Sequence, residues 1–335
     1  MKIFHLFCAW SAISIEPISR IFQPNSAMIK RLAAVLPAIV LFVLTLGAQP
    51  ASSSFAPTEK ALLWEIKGNQ LPQPSYLFGT IHMISKRDFE LREPVKTALS
   101  QTERVVFEID MEKMSDISTL LPVMMKMYMR NDTTLSDLLS QDDYALVKAH
   151  FDKLGLPLAF LGRIKPMFLS MIASEDFMAM KDGPDSLQMV SYEMELLNLA
   201  KAGQKDVDGL ETADFQMSIF DAIPYQAQAQ MLVESIKMGG GEGGEFDEMV
   251  RMYKNQDIQA MQQMMESEDG IAQYEDVLLV GRNKNWIPVM SRLMSEGPSF
   301  FAVGAGHLGG PQGVIALLRQ AGYVVTAVGC GGVGE

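Results

Sequence analysis

The sequence predicts an α/β fold: a central β-sheet built from the N- and C-terminal parts of the chain, with a large, mainly helical insertion between them. Two observations support this prediction. Short runs of β-branched and aromatic residues occur early in the folded part and again near its end. Between them, most methionines fall in segments whose apolar residues recur at helical spacing. We expect a leader and spacer at 1–54 and one domain at 55–335, with 55–112 and about 270–335 as the α/β core and 113–269 as the insertion.

The N-terminal part of the core supplies three predicted strands. "ALLWEIKG" (61–68) and "SYLFG" (75–79) are strand-like runs separated by the turn-forming "NQLPQP". "EPVKTALSQTE" then predicts a helix with Pro94 in its first turn, where a missing N–H costs nothing. "RVVFEID" (104–110) is the third apolar, β-branched run, so we expect it to be a buried strand.

The insertion and the C-terminal part follow. "MGGGEGGEF" (238–246) is too rich in glycine for a helix and predicts a loop. The Met-rich helical faces are either ordinary core or an adaptable binding surface. "SFFAVG" (299–304) predicts a strand, "GPQGVIALLRQAG" a helix with Pro311 in its first turn and Gly322 as its stop, and "YVVTAV" (323–328) a last strand.

The N-terminus has the layout of a secretory signal. In "MIKRLAAVLPAIVLFVLTLGAQPASSS" (28–54), a basic start precedes a short apolar stretch and then small residues. We therefore expect a periplasmic or secreted protein, cleaved near 48–53, and membrane contact only if this segment is retained as an anchor. Cleavage would leave Cys330 as the one cysteine, which excludes an internal disulfide and a CxxC metal or redox site.

The net charge of the chain limits the classes of molecule that it is expected to bind. The chain is 48% hydrophobic and 20% charged, as expected of a globular protein, and has a formal net charge of −12. Loss of residues 1–48 would remove four basic residues and one acidic residue, which gives −15. Such an acidic surface argues against nucleic acid or an anionic membrane surface as a partner and leaves a peptide or small molecule. The oligomeric state is not predicted.

One motif occurs twice, more than two hundred residues apart. "SYLFGTIH" ends a strand with Gly79 and places His82 three residues later, and "PSFFAVGAGH" does the same with Gly304 and His307. Ligands of α/β sheets bind beyond the carboxyl ends of the strands. Neighbouring strands would therefore let both histidines bind one metal ion, or divide into a ligand and an acid or base. Otherwise each is a structural histidine, as we expect for His150.

Carboxylates and one arginine complete the candidates. Glu108, between Phe107 and Ile109 in a buried run, needs a partner, a metal or exposure. In "GLET", Glu211 is either a site residue or a helix-start carboxylate before the cap Thr212. In "GRNKNW", Arg282 would neutralise a substrate carboxylate or oxyanion, or pair with a core acid.

Several other chemistries lack their motifs. The chain contains no HExxH, GxxxxGK[ST] or GxSxG sequence, which argues against zincin, P-loop and serine-hydrolase sites. "GAGHLG" (304–309) matches GxGxxG, but no acidic residue follows about 20 positions later and barely one more strand remains. We therefore do not expect a dinucleotide site.

Together these motifs resemble one family. "GTIH", "FEID", "GLET", "GRN.NW" and "FFAVGAGHLGG..GV..LL...GY.V" are similar to the TraB/GumN family, which includes the Tiki proteins, over roughly residues 60–330. The resemblance implies a fold related to erythromycin esterase and ChaN-like proteins. It also implies a divalent-metal-dependent protease, with His82, His307 and Glu108 at the metal (Mn, Co or Zn) and Arg282 as a companion. Glu211 joins Glu108 and Arg282 as a catalytic candidate.

The resulting prediction is a periplasmic or secreted metal-dependent hydrolase that acts on peptide bonds. The alternative is a non-catalytic periplasmic protein that binds a peptide, haem or another small ligand in the same cleft, with the two histidines as its ligands. A protein with inert histidines is the third interpretation.

Overall fold

A computed structural model describes residues 55–173, 189–237, 245–267 and 272–329. The predicted leader, most of the predicted glycine-rich loop and Cys330 lie outside these residues. No helix in the described ranges has the length and apolarity needed to cross a membrane.

The protein is an α/β structure whose central sheet is mixed and has six strands in the order β6-β4-β7-β2-β1-β8. A separate two-stranded sheet pairs β3 with β5. The strand bounds are β1 (Leu63–Gly68), β2 (Ser75–Thr80), β3 (Ile84–Ser85), β4 (Arg104–Ile109), β5 (Met189–Val190), β6 (Asp206–Glu211), β7 (Ser299–Gly304) and β8 (Tyr323–Ala327).

Helices account for most of the remaining described chain. In chain order they are α1 (Glu93–Ser100), α2 (Ile117–Met125), α3 (Leu135–Leu138), α4 (Gln141–Lys153), α5 (Leu158–Leu161), α6 (Pro166–Ala173), α7 (Tyr192–Ala202), α8 (Ala213–Ile219), α9 (Tyr225–Lys237), α10 (Glu245–Lys254), α11 (Ile258–Ser267), α12 (Gly281–Glu296) and α13 (Val314–Gln320).

The strand directions put several carboxyl ends at one edge of the sheet. β4 is parallel to β6 and to β7, and β7 is parallel to β2. β1 is antiparallel to both β2 and β8. The middle of the sheet is buried on both faces, which explains the uninterrupted apolar run in β4, where Val105, Val106 and Phe107 are almost fully buried.

Two hydrophobic clusters organise the packing. The larger one surrounds the sheet and includes residues of α7, α10 and α11, all from the segment predicted as an insertion. The smaller one joins α4, α6 and α9 and includes Leu135, Val147 and Leu232. The segment 113–269 therefore supplies the edge strand β6 and part of the main core as well as a helical cluster, and its boundaries as a domain stay a prediction.

Two local predictions were wrong. The last helix begins at Val314, not near Pro311, because Gly313 has an extended backbone (φ −72°, ψ 160°) and forms the N-cap. The predicted loop at 238–246 ends earlier than expected, since α10 begins at Glu245. Two predicted helix boundary signals were confirmed: Pro94 lies at the start of α1, and Gly322 has a φ of +92° just after α13.

Candidate functional site

The two Gly-x-x-His motifs leave neighbouring strands at the same edge of the sheet. β2 and β7 pair in parallel, with Thr80 opposite Gly304, so the prediction that these strands are adjacent is confirmed. His307 lies in a 3₁₀ turn directly after β7. A side chain at Gly79 would meet Ala305 and Leu308 at 3.0–3.2 Å, so this glycine lets the two strand ends pack closely.

The two glutamates of the site also come from adjacent parallel strands. Glu108 is the fifth residue of β4, and Glu211 ends β6, where it pairs with Ile109. Thr212 then caps α8 by accepting a hydrogen bond from the Phe215 N–H, as the sequence predicts. Both carboxylates are therefore delivered to the edge at which the histidine motifs leave the sheet.

Helix α12 brings a basic side chain to these carboxylates. Arg282, Asn283 and Trp286 belong to its buried stripe, which continues at Met290 and Leu293. A π-helical turn (Asp276–Val280) directly precedes α12. Such turns are found frequently at functional sites, and here the Leu278 carbonyl accepts a hydrogen bond from Arg282 Nη1 at 3.2 Å.

Arg282 is the centre of a buried ion-pair network. Its Nη2 donates to Glu108 Oε2 at 2.5 Å and to Glu211 Oε1 at 2.7 Å, and its Nε donates to Glu211 Oε1 at 3.0 Å. Its Nη1 lies 3.1 Å from His307 Nε2. With the bond to the Leu278 carbonyl, all five N–H groups of the guanidinium have a partner. This saturation favours pairing with core acids over the binding of a substrate anion.

Glu108 is buried and ionised. Its Oε1 accepts a hydrogen bond from the Gly304 N–H at 2.9 Å, and its Oε2 accepts one from Gln216 Nε2 at 3.0 Å. Burial alone would raise the pKa of Glu108, but the positive charges of a protonated His307 and of Arg282 outweigh it and lower that pKa to about 2. At pH 7, Arg282 is the charged partner, because His307 is then neutral.

His307 is buried and neutral. Burial lowers its pKa to about 3, and the nearby Arg282 charge acts in the same direction. Asn283 Oδ1 lies 2.6 Å from Nδ1, while Asn283 Nδ2 donates to the Gln312 carbonyl. The amide oxygen is thus the acceptor, so the hydrogen-bond network assigns the proton to Nδ1 and leaves Nε2 unprotonated. This nitrogen lies 3.8 Å from Glu108 Oε1.

His82 has a different environment. Its side chain is 74% exposed, and its Nδ1 lies 3.0 Å from Glu193 Oε1. This hydrogen bond raises the pKa of His82 above its ordinary value. The charges of Glu108 and Arg282 also act on His82, so it shares the electrostatic field of the buried network without a described contact to it.

The structure thus brings together four of the five predicted site residues: Glu108, Glu211, Arg282 and His307. His82 instead binds Glu193. Across the described ranges, no group of three or more His, Cys, Asp or Glu side chains is arranged to hold a metal ion. His307 Nε2 and Glu108 Oε1 are of atom types that can bind metals and lie 3.8 Å apart, and they are hydrogen-bonded to Arg282 Nη1 and the Gly304 N–H, respectively.

The family model of the TraB/PrgY/gumN family matches residues 62–327. The chain belongs to this family. Its match spans the sheet, both histidine motifs and α12, so every residue of the candidate site lies within the TraB/PrgY/gumN region.

This TraB/PrgY/gumN protein is similar in sequence to two proteins named as metalloproteases. The chain is 24% identical over 315 residues to "Metalloprotease TIKI2" from Danio rerio, a match that covers 79% of this chain and 60% of the relative. It is also 24% identical to "Metalloprotease TIKI1" from Homo sapiens, with coverage of 79% and 61%. The chain thus spans about three-fifths of the length of these relatives. No solved structure gave a significant match.

Sequence reasoning missed several residues of the site in this TraB/PrgY/gumN protein. Trp286 donates from Nε1 to Glu211 Oε2 at 3.0 Å, and it was visible as the tryptophan of the "GRN.NW" motif. Gln216 lies one helical turn after "GLET", in α8. Its hydrogen bond to Glu108 could be predicted only once the position of α8 relative to β4 was known. Glu193 carries no sequence signal beyond that of a carboxylate in the first turn of a helix.

Proposed function

We propose that this protein is a divalent-metal-dependent hydrolase, acting as a peptidase, with its centre at the carboxyl edge of the sheet. Membership of the TraB/PrgY/gumN family and the similarity to two metalloproteases support the activity class. The observation that carries the proposal is the pair His307 Nε2 and Glu108 Oε1, 3.8 Å apart. A neutral imidazole nitrogen beside an ionised carboxylate suits Zn, Co or Mn.

The donors fit such a metal in chemical type. The Nδ1–H of His307 donates to an amide oxygen, as the second nitrogen of a metal-bound histidine usually does to an oxygen acceptor. We propose that His307 and Glu108 hold the ion and that His82, from the neighbouring strand end, is the third ligand. Arg282 Nη1, now 3.1 Å from His307 Nε2, would give up that contact.

When bound, the ion would supply a Lewis acid for the peptide carbonyl and for a water molecule. Glu108 is a poor proton acceptor because its pKa is about 2, so the role of ligand suits it better than that of general base. Arg282 would hold Glu108 and Glu211 in place through its Nε and Nη2 groups, whose bonds do not involve His307. Trp286 would support this arrangement, since its ring lies 4.9 Å from the Arg282 guanidinium carbon and its Nε1 donates to Glu211 Oε2.

We also propose that the reaction takes place in the periplasm or outside the cell. The support is the signal-like order of basic, apolar and small residues in 28–54. Sequencing the N-terminus of exported protein tests this, with a mature start near 48–53 as the expected result. Protein that is found in the cytoplasm with its leader intact would contradict it.

The function is tested by measuring metal content and peptide cleavage on the same preparations of the full chain, purified without chelator. Wild type is expected to carry Mn, Co or Zn and to cleave members of a peptide library. His82→Ala and His307→Ala should lose both properties. His150→Ala is the matched control, because His150 lies on α4 and contacts the Ala173 carbonyl, and it should keep both.

His82→Ala is the decisive variant, because an exposed side chain is removed without disturbing the core. Metal-dependent cleavage at the wild-type rate by this variant would refute the mechanism.

The second candidate function, a non-catalytic binding protein, is favoured by the saturated Arg282 network, which occupies the lone pair of His307. Its expected result is peptide or small-ligand binding without turnover and without a Soret band, because a haem iron would need the same lone pair as a catalytic metal.

A further inference from the structure

Glu193 is a partly buried carboxylate that the proposed mechanism does not yet use. It lies in the first turn of α7, and its side chain is only 13% exposed. Its Oε1 lies 3.0 Å from His82 Nδ1 and accepts a hydrogen bond from Thr80 Oγ1 at 2.8 Å. Its Oε2 accepts one from Ser191 Oγ at 2.9 Å. The carboxylate is therefore fixed from the end of β2 and from the start of α7.

These contacts define the tautomer of His82. A glutamate carboxylate is ionised near neutral pH and has only acceptor atoms, and both oxygens of Glu193 already accept hydrogen bonds from hydroxyl groups. The nitrogen that faces it must therefore carry a proton. Nδ1 of His82 is that nitrogen, and in the neutral imidazole Nε2 is then unprotonated.

The same arrangement occurs at the second histidine. His307 donates from Nδ1 to Asn283 Oδ1, whose orientation is fixed by the bond from Asn283 Nδ2 to the Gln312 carbonyl. A side-chain oxygen from a different helix thus faces Nδ1 in each motif: Glu193 on α7 and Asn283 on α12. Two histidines that share a sequence motif therefore also share a tautomer, although their orienting partners come from unrelated parts of the chain.

We propose that Glu193 is a positioning residue that holds His82 with Nδ1 protonated and Nε2 free for coordination, as Asn283 does for His307. The effect on catalysis rests on the proposed function, whereas the effect on the tautomer of His82 does not. Orienting partners of this kind typically contribute 10–100-fold in metal affinity or activity.

The test compares variants of the full chain labelled with ¹⁵N-histidine, at a pH where His82 is neutral and without metal. The His82 signal is assigned from its loss in His82→Ala. In Glu193→Ala the imidazole should populate both tautomers. In Glu193→Gln the amide oxygen still accepts from Nδ1, so the wild-type tautomer should be retained. Glu195→Ala is the control, since Glu195 lies in the same helical turn and has no described contact to His82.

Activity and metal affinity are then measured on the same proteins. We expect Glu193→Ala to lose about 10–100-fold in metal affinity and cleavage, and Glu193→Gln to recover most of this loss. An unchanged His82 spectrum in Glu193→Ala would overturn the inference, and so would a Gln variant that behaves like the Ala variant. A shifted tautomer in a protein whose wild type neither binds metal nor cleaves peptides would refute the proposed function and leave the positioning role supported.

Discussion

The two Gly-x-x-His motifs end neighbouring strands, yet their histidines have opposite environments. The side chain of His307 is only 7% exposed, and the centre of its ring lies 4.5 Å from that of the Trp286 ring. Burial lowers its pKa to about 3. His82 is 74% exposed and has a raised pKa. Burial favours the neutral imidazole in the first case, and a carboxylate partner favours the charged one in the second.

This difference shows that the motif determines where each histidine lies, at the end of its strand, and that the side chains packed against it determine the charge of its imidazole. Helix α12 covers His307 with Asn283, Trp286 and Arg282. At His82 the described partner is Glu193 from α7, and the imidazole stays accessible to solvent. Removal of the buried cation, of each imidazole and of the protons that they bind should affect the two sites differently.

The largest effect is expected from Arg282→Met. The change leaves the carboxylates of Glu108 and Glu211 buried without their counter-charge, and breaking a buried ion pair in this way costs about 3–5 kcal/mol. We expect a corresponding loss in the free energy of unfolding by urea. The hydrogen bond between His82 and Glu193 should persist, and the pKa of His82 should rise further, since the positive charge of Arg282 lowers it.

The control for this variant neutralises the two acids. Adding Glu108→Gln and Glu211→Gln to Arg282→Met removes the uncompensated charges, so most of the lost stability should return. If the triple variant stayed as unstable as Arg282→Met alone, packing of the arginine side chain would be responsible, and the electrostatic account of this network would be wrong.

A smaller effect should separate the two histidines themselves. His307→Ala opens a cavity beside Trp286 and leaves Asn283 without its donor, so we expect a loss of about 2–4 kcal/mol. His82→Ala removes an exposed ring, and Glu193 keeps its bonds from Thr80 and Ser191, so the change should stay within about 0.5 kcal/mol. Urea unfolding measures both, and equal losses would contradict the comparison.

The last prediction is a pH dependence of opposite sign at the two sites, measured without metal. Between about pH 3 and 6.5 the unfolded chain binds a proton at His307 that the folded chain does not. Stability therefore falls as the pH is lowered through this window, by at most about 1.4 kcal/mol per pH unit for one proton. Glu108 adds to this loss between about pH 4.5 and 2.

His82 acts in the other direction. Because its folded pKa is raised, its contribution is fully present below its unfolded pKa of 6.5 and is lost as the pH rises through the folded value. His307→Ala should flatten the acid side of the stability curve, and His82→Ala should flatten the neutral-to-basic side. Curves that parallel wild type in both variants would disprove these assignments.

Much of the sheet was predictable from local patterns. The apolar runs of β2, β4 and β7 and the turn residues around them set strand bounds to within one residue, because strand burial leaves a period and a composition in the sequence. The Pro311 prediction failed because the helix starts only after Gly313, and an extended backbone there is one of several conformations that a loop glycine can adopt.

The candidate site was predictable in its residues and not in its contacts. Glu108, Glu211, Arg282 and His307 could be named because a charged or titratable side chain beside a buried run needs a partner. That Arg282 would engage all five of its N–H groups, and that Glu193 would face His82, depends on where α12 and α7 dock.

The sequence by itself determined which strands form, where each ends and which polar side chains follow it, since these features arise from neighbouring residues. The tertiary structure alone decided that β2 and β7 are adjacent, that a guanidinium lies between two glutamates and that one histidine is neutral while its counterpart is exposed. The physical reason is that pKa values and ion pairs depend on distance and burial in space, and residues more than two hundred positions apart acquire these only when the chain has folded.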